Sequence, residues 1–208
     1  NKDVNEQLDV TLGTEAAEAG ITTININSVD QDELITFDAK FTNDLTINLN
    51  STASAGGTVD DHDAIDITGT GYTGVLTVNI KGQDLAAAQS ITSGSGTSDV
   101  LLFSSTANTA HAHTVGVTGF ETIKASAGAS ASWQIANEST ADGANIHLDG
   151  SALTSDYVFT ADAGDEADAI VSITGGAGND VITIGESDLG QVVNAGAGDD
   201  NIKVTTLD

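Results

Sequence analysis

The chain has 208 residues, long enough for one or two domains with a sizeable core, and carries 31 acidic residues against five basic ones, for a formal net charge of -26. That charge argues against nucleic acid and anionic membrane as partners, and it repels itself in any compact state, which makes divalent cations the natural counter-ions. Hydrophobic residues make up 39% and aromatics 4%, with no Cys, Met or Pro.

All five basic residues are lysine; the absence of arginine disfavours binding of phosphate or carboxylate substrates. No window approaches ~18 consecutive apolar residues, so no membrane span is expected. No basic stretch precedes an apolar run, so no signal peptide is expected within this stretch. The missing initiator Met suggests a fragment or a processed chain.

In chain order, apolar and polar residues alternate over 8–12, 21–27, 34–41, 45–50, 64–68, 75–80, 99–103, 120–125, 132–136, 145–148, 157–161, 170–173, 181–184 and 201–204. Short alternating runs bounded by Gly, Asn, Asp and Ser are strand signatures. Only 84–90, "DLAAAQS", suggests a helical turn or two. The chain therefore reads as all-β. Two segments are expected: an all-β segment with degenerate repeats over 1–125 and a more regular one over 126–208. No proline-rich linker separates them, so one continuous solenoid is the alternative.

A repeat underlies the pattern. "ITGGAGNDVITI" (173–184) matches "VNAGAGDDNIKV" (193–204) position by position. "ITSGSGTSDVLLF" (91–103) shares the frame with one extra residue before Asp99, and "ITGTGYTGVLTV" (67–78) has Gly74 where the aspartate would be. "TADAGDEADAIVSI" (160–173) reads as a longer copy ending in Asp168. The unit is a glycine-rich turn feeding a short strand.

Residues 175–183, "GGAGNDVIT", fit the nonapeptide G-G-x-G-x-D-x-U-x, with U a large apolar residue. Glycines reach backbone angles closed to other residues. Calcium takes six to eight oxygens, backbone carbonyls and carboxylates among them. One such turn offers too few oxygens, but two stacked turns offer enough. An ion is thus expected between 175–180 and 195–200, with Asp180 and Asp200 as side-chain ligands and Gly176, Gly178, Gly196 and Gly198 in the carbonyl-bearing turns.

These residues resemble the repeats-in-toxin (RTX) calcium-binding nonapeptides of proteins exported by Gram-negative bacteria. The resemblance covers about 40 residues well and about 110 loosely, and the second copy departs from it at Ala195. It implies a parallel β-solenoid, a calcium-stapled β-roll, at least in the C-terminal part. In a roll, turns alternate between two edges, so "ADAGDEAD" (161–168) and "GESDLG" (185–190) would share the other edge. Asp162, Asp165, Glu166, Asp168, Glu186 and Asp188 would then need a cation; a solvated acidic rim is the plainer reading.

The Thr/Ala/Asn-rich strands and "VTGFETIKAS" (117–126) are similar to bacterial surface-layer (S-layer) proteins with such repeats; large RTX adhesins carry similar segments. The expectation is a structural module of a secreted, calcium-dependent protein on a Gram-negative cell surface, most simply an S-layer subunit. An extender or ligand-binding domain of an adhesin is the alternative. Expected partners are calcium, copies of the parent protein and cell-surface polysaccharide.

The acid-rich stretches "VDDHDAID" (59–66) and "SVDQDEL" (28–34) read more simply as exposed turns than as cation loops. His111 and His113 would share a strand face, a spacing that suits zinc or copper, but they lack a third ligand and read as a surface pair. His147 reads as inert, and Trp133 as core. No nucleophile elbow, Cys nucleophile, zinc-protease helix motif or phosphate loop is present, so no catalytic role is expected.

Overall fold

The computed structural model describes residues 8–27, 33–37, 40–50, 65–81, 90–104, 117–126, 128, 130–136, 144–186 and 189–206. Consecutive strands alternate between two walls. One wall is an eight-stranded sheet of β2 (Thr23–Ile26), β4 (Leu45–Asn50), β6 (Leu76–Lys81), β8 (Val100–Phe103), β10 (Thr122–Ala125), β12 (Asn145–Asp149), β14 (Ile170–Thr174) and β16 (Gln191–Asn194). The facing wall comes in two pieces. The first holds β1 (Leu8–Leu12), β3 (Glu33–Phe37), β5 (Ile65–Thr68), β7 (Ser90–Thr92) and β9 (Val117–Thr118). The second holds β11 (Ala131–Ala136), β13 (Phe159–Asp165), β15 (Val181–Ile184) and β17 (Asn201–Val204). Neighbouring strands in all three sheets run parallel, which makes the chain a parallel β-solenoid.

The alternation explains the core. Every second residue points inward, and register aligns these residues coil on coil. On the long wall, Ile24, Ile47, Val78, Leu101, Ile123, Leu148, Ile173 and Val193 form one row across all eight strands. Opposite, Val10, Ile35, Ile67, Ile91 and Val117 do the same. The outward row beside them is Thr11, Thr36, Thr68, Thr92 and Thr118, with the Thr92 and Thr118 hydroxyls 3.1 Å apart. On the outer face of the long wall, Asn48 bridges Asn25 and Asn79 through side-chain hydrogen bonds of 2.8 and 3.3 Å.

Coil length changes along the molecule. Asn48 and Asn79 occupy matching places 31 residues apart, whereas Asp180 and Asp200 are 20 apart. The long wall runs through the division expected near residue 125, and the facing wall breaks there, between β9 and β11. Trp133 fills this region, packed against Phe103 and Phe159 with ring centroids 5.6 and 5.1 Å away.

Three local expectations change. Helix α1 (Thr14–Glu18), a run of good helix formers, was not foreseen; Ala16 and Ala17 pack on the core, and Asn43 Nδ2 donates to the Ala17 carbonyl at 3.0 Å. Ser90 opens strand β7, and the rest of 84–90 lies outside the described residues. Strand β16 was missed because "QVVN" puts two valines side by side; Val193 faces the core and Val192 is exposed.

Candidate functional site

The turns 175–180 and 195–200 both lead from the long wall to the facing wall, and they stack. Gly175 N–H donates to the Asn194 carbonyl (2.8 Å), Ala197 N–H to Gly176 (3.0 Å) and Asn201 N–H to Asp180 (2.8 Å). A third turn, 150–157, lies on the other side of 175–180: Gly150 N–H donates to Thr174 (2.7 Å) and Ala177 N–H to Leu153 (3.0 Å). Its sequence, "GSALTSDY", lacks the glycine motif, which is why sequence reasoning did not count it.

The stack shows what the glycines do. A Cβ on Gly178 would overlap the Tyr157 carbonyl oxygen, one on Gly196 that of Gly176, and one on Gly198 that of Gly178. Each turn lays its carbonyl oxygens against the glycines of the next. Gly196 and Gly198 also need positive φ, at 93° and 125°.

Asp180 closes the middle turn and is 1% exposed. Its Oδ1 accepts the Phe159 N–H (2.8 Å) from the coil before, and its Oδ2 accepts the Gly176 N–H (2.6 Å) of its own turn. Asp180 N–H in turn donates to Asp200 Oδ1 at 2.9 Å. Burial pushes the Asp180 carboxyl up, the Asp200 charge adds to this, and the two backbone N–H groups oppose it. The structure thus brings Asp180 and Asp200 together on the edge where the two turns stack. Each carboxylate oxygen that accepts one hydrogen bond keeps a lone pair.

On the opposite edge, the end of β13 and the turn after β15 adjoin: a Cβ on Gly185 would meet the Gly164 carbonyl. The acids there are spread apart, because β13 extends through Asp165 and makes strand of what reads as turn. Asp162 lies on the outer row of β13, between Gln134 and Thr183, and its Oδ1 accepts the Gly164 N–H at 2.9 Å. Asp165, Asp168 and Glu186 are exposed, and Asp188 lies outside the described residues. Glu166 is fully buried and closes its turn through Oε1, which accepts N–H bonds from Asp168 (3.0 Å) and Ala169 (2.9 Å). Among the described residues, no group of three or more His, Cys, Asp or Glu side chains is placed to hold a metal.

The degenerate repeats use the same device on that opposite edge. Asp99, closing 93–99, accepts the Leu76 N–H at 2.7 Å, and its own N–H donates to Glu121 Oε2 at 2.8 Å. Burial raises the Glu121 carboxyl above its ordinary value, and the charge of Asp99 adds to this. Asp44 accepts the Val75 N–H at 3.0 Å. Sequence reasoning missed Glu121, although a signal was available: Asp44, Asp99, Glu121, Asp180 and Asp200 each stand immediately before a strand. Asp149 differs. Burial acts to raise it, but hydrogen bonds from Ser151 and an ion pair with Lys124 (3.0 Å) outweigh this and hold it below the usual carboxylate range.

His111, His113 and the acid-rich parts of 59–64 and 28–32 lie outside the described residues. Asp66 sits in β5 and accepts the Ser90 N–H at 3.2 Å. His147 is within hydrogen-bond distance of Thr174 (Nε2 to Oγ1, 2.9 Å) and lines an open pocket of about 460 Å³ with Thr97, Glu121, Asn145 and Ser172. Among the described residues, no helix is long and apolar enough to cross a membrane. No family model, no curated protein and no solved structure matches the chain.

Proposed function

We propose that the chain is a non-catalytic structural module of a secreted cell-surface protein of a Gram-negative bacterium, most simply an S-layer subunit, and that calcium drives its folding and assembly. The observation that carries this reading is the stack of acid-closed glycine turns at 175–180 and 195–200 on one edge of a parallel solenoid. Asp180 and Asp200 would hold the ion together with carbonyls of the turns containing Gly176, Gly178, Gly196 and Gly198. When bound, calcium supplies positive charge to an edge whose carboxylates otherwise repel.

The chain's own residues do the rest. Where free calcium is scarce, carboxylate repulsion and the conformational entropy of the glycines favour the open chain. Outside the cell, calcium near ~1 mM meets the 10⁻⁴–10⁻³ M range typical of extracellular modules, and binding stabilises the fold by mass action. Further cations would bridge the acidic turns of neighbouring copies or of surface polysaccharide.

The second reading is an extender or ligand-binding domain of a large RTX adhesin. Electron microscopy of the parent protein separates the two readings. A two-dimensional lattice that forms with calcium and dissolves in chelator supports the coat; isolated rods of tandem domains in calcium sink it in favour of the adhesin.

A further inference from the structure

We propose that the turn 93–99 and the head of β10 form a separate site for a hard divalent cation, calcium, held by the Asp99 carboxylate, the Ser93 hydroxyl and the Glu121 carboxylate. The site lies in the other half of the chain and on the opposite edge from the 175–200 pair, in a turn that departs from the nonapeptide by one inserted residue.

Two buried orphan oxygens point to it. Asp99 and Ser93 are both fully buried, yet among the described residues Asp99 Oδ2 and Ser93 Oγ have no hydrogen-bond partner. A carboxylate oxygen left this way in a dry interior is strongly unfavourable unless something positive or protic meets it. Comparison with 175–180 shows why it is left. There Gly176 N–H satisfies the second oxygen of Asp180, whereas 93–99 is one residue longer and gives Asp99 Oδ2 no such donor.

The surroundings suit a cation. Both Asp99 carboxylate oxygens and the Gly74 carbonyl lie so close to Gly96 that a Cβ there would press on them. Ser93 Oγ and the Gly94 carbonyl crowd Gly119 in the same way. Glu121 brings a second carboxylate, tied by its hydrogen bond to the Asp99 backbone. Glu121 and Thr97 also line the open pocket of about 460 Å³. Two carboxylates, a hydroxyl and carbonyls form an all-oxygen, irregular set. Calcium accepts such a set, whereas magnesium demands near-ideal octahedral geometry and soft metals prefer nitrogen or sulfur.

The test counts calcium bound per chain by equilibrium dialysis on the full 208-residue chain and its variants. Asp99→Asn keeps an acceptor for Leu76 N–H and is expected to lose one calcium relative to the parent chain. Glu121→Gln is expected to lose the same ion, and Ser93→Ala to bind it more weakly, with circular dichroism confirming that each variant is folded. The double variant Asp180→Asn/Asp200→Asn is expected to keep this ion, so failure of the 175–200 reading would not imitate failure here. If Asp99→Asn binds as many calcium ions as the parent, the proposal is overturned. It is equally overturned if Ser93→Ala and Glu121→Gln leave every affinity unchanged, or if the double variant binds no calcium.

Discussion

Asp99 and Asp180 occupy equivalent places on opposite edges of the solenoid. Each closes a glycine turn, each stands one residue before a strand, and each accepts the N–H that opens a strand in the coil before. Each also donates its own N–H to the closing acid of the coil after. They differ in the second carboxylate oxygen, which Gly176 satisfies in Asp180 and, among the described residues, nothing satisfies in Asp99. The comparison separates two jobs that a motif-based reading merges. The turn-closing acid first pairs backbone between coils, and that job survives drift of the motif. Ion binding, as proposed, would be a second layer, built on the oxygens that the first job leaves over.

The largest expected effect tests this ordering. In metal-stripped protein, Asp180→Ala removes the acceptor of two buried N–H groups and should cost about 2–5 kcal/mol in denaturant unfolding, against about 1–3 kcal/mol for Asp99→Ala, which removes one. Equal costs would mean that the second oxygen of Asp180 contributes nothing without the ion. Next comes the turn stack. Gly178→Ala puts a methyl group into the Tyr157 carbonyl and should cost about 1–3 kcal/mol by thermal unfolding. Gly190→Ala, where φ is 90° but nothing lies within 4 Å, should cost no more than about 1–2 kcal/mol, the backbone term alone. If both cost the same, the glycines serve conformation and not close approach.

A smaller effect is the pH dependence of the metal-stripped chain. Asp180 and Glu121 have raised carboxyls, so the fold binds protons there more readily than the open chain does. Their contribution therefore grows as pH falls from neutrality toward ~4 and is lost as pH rises through the raised values. Asp149 has the opposite sign: its stabilisation is present above the ordinary carboxylate value and is lost as pH falls through its lowered one. Melting curves should show stability rising from pH 7 to about pH 5, with losses only in stronger acid. A fall between pH 7 and pH 5 would contradict the assignment. The smallest effect is that of Lys124→Ala: this lysine is 42% exposed, and its loss should cost at most about 1 kcal/mol.

Much of the fold was legible because the inward rows are written as alternation: "LTINLN", "LTVNI" and "VITI" announce strand and face together. The pairing was less so. Sequence alignment set 67–78 and 91–103 beside 173–184, yet the first two turns lie on the opposite edge from the third, because the same local turn can follow a strand of either wall. The pair Asp180 and Asp200 was legible from spacing alone, since one coil there is 20 residues. Asp162 was not, because whether "TADAGD" bends or runs on as strand depends on its pairing with β11 and β15. The ladder from Asp99 to Glu121 stayed hidden because coil length between those turns varies, and no fixed period connects them.

The most direct test of the central claim is the melting temperature of the chain in strong chelator and in ~1 mM calcium, for the parent and for Asp180→Asn. A bound ion predicts that calcium raises the melting temperature of the parent and raises that of the variant much less. A parent chain that melts at the same temperature in chelator and in calcium would contradict it.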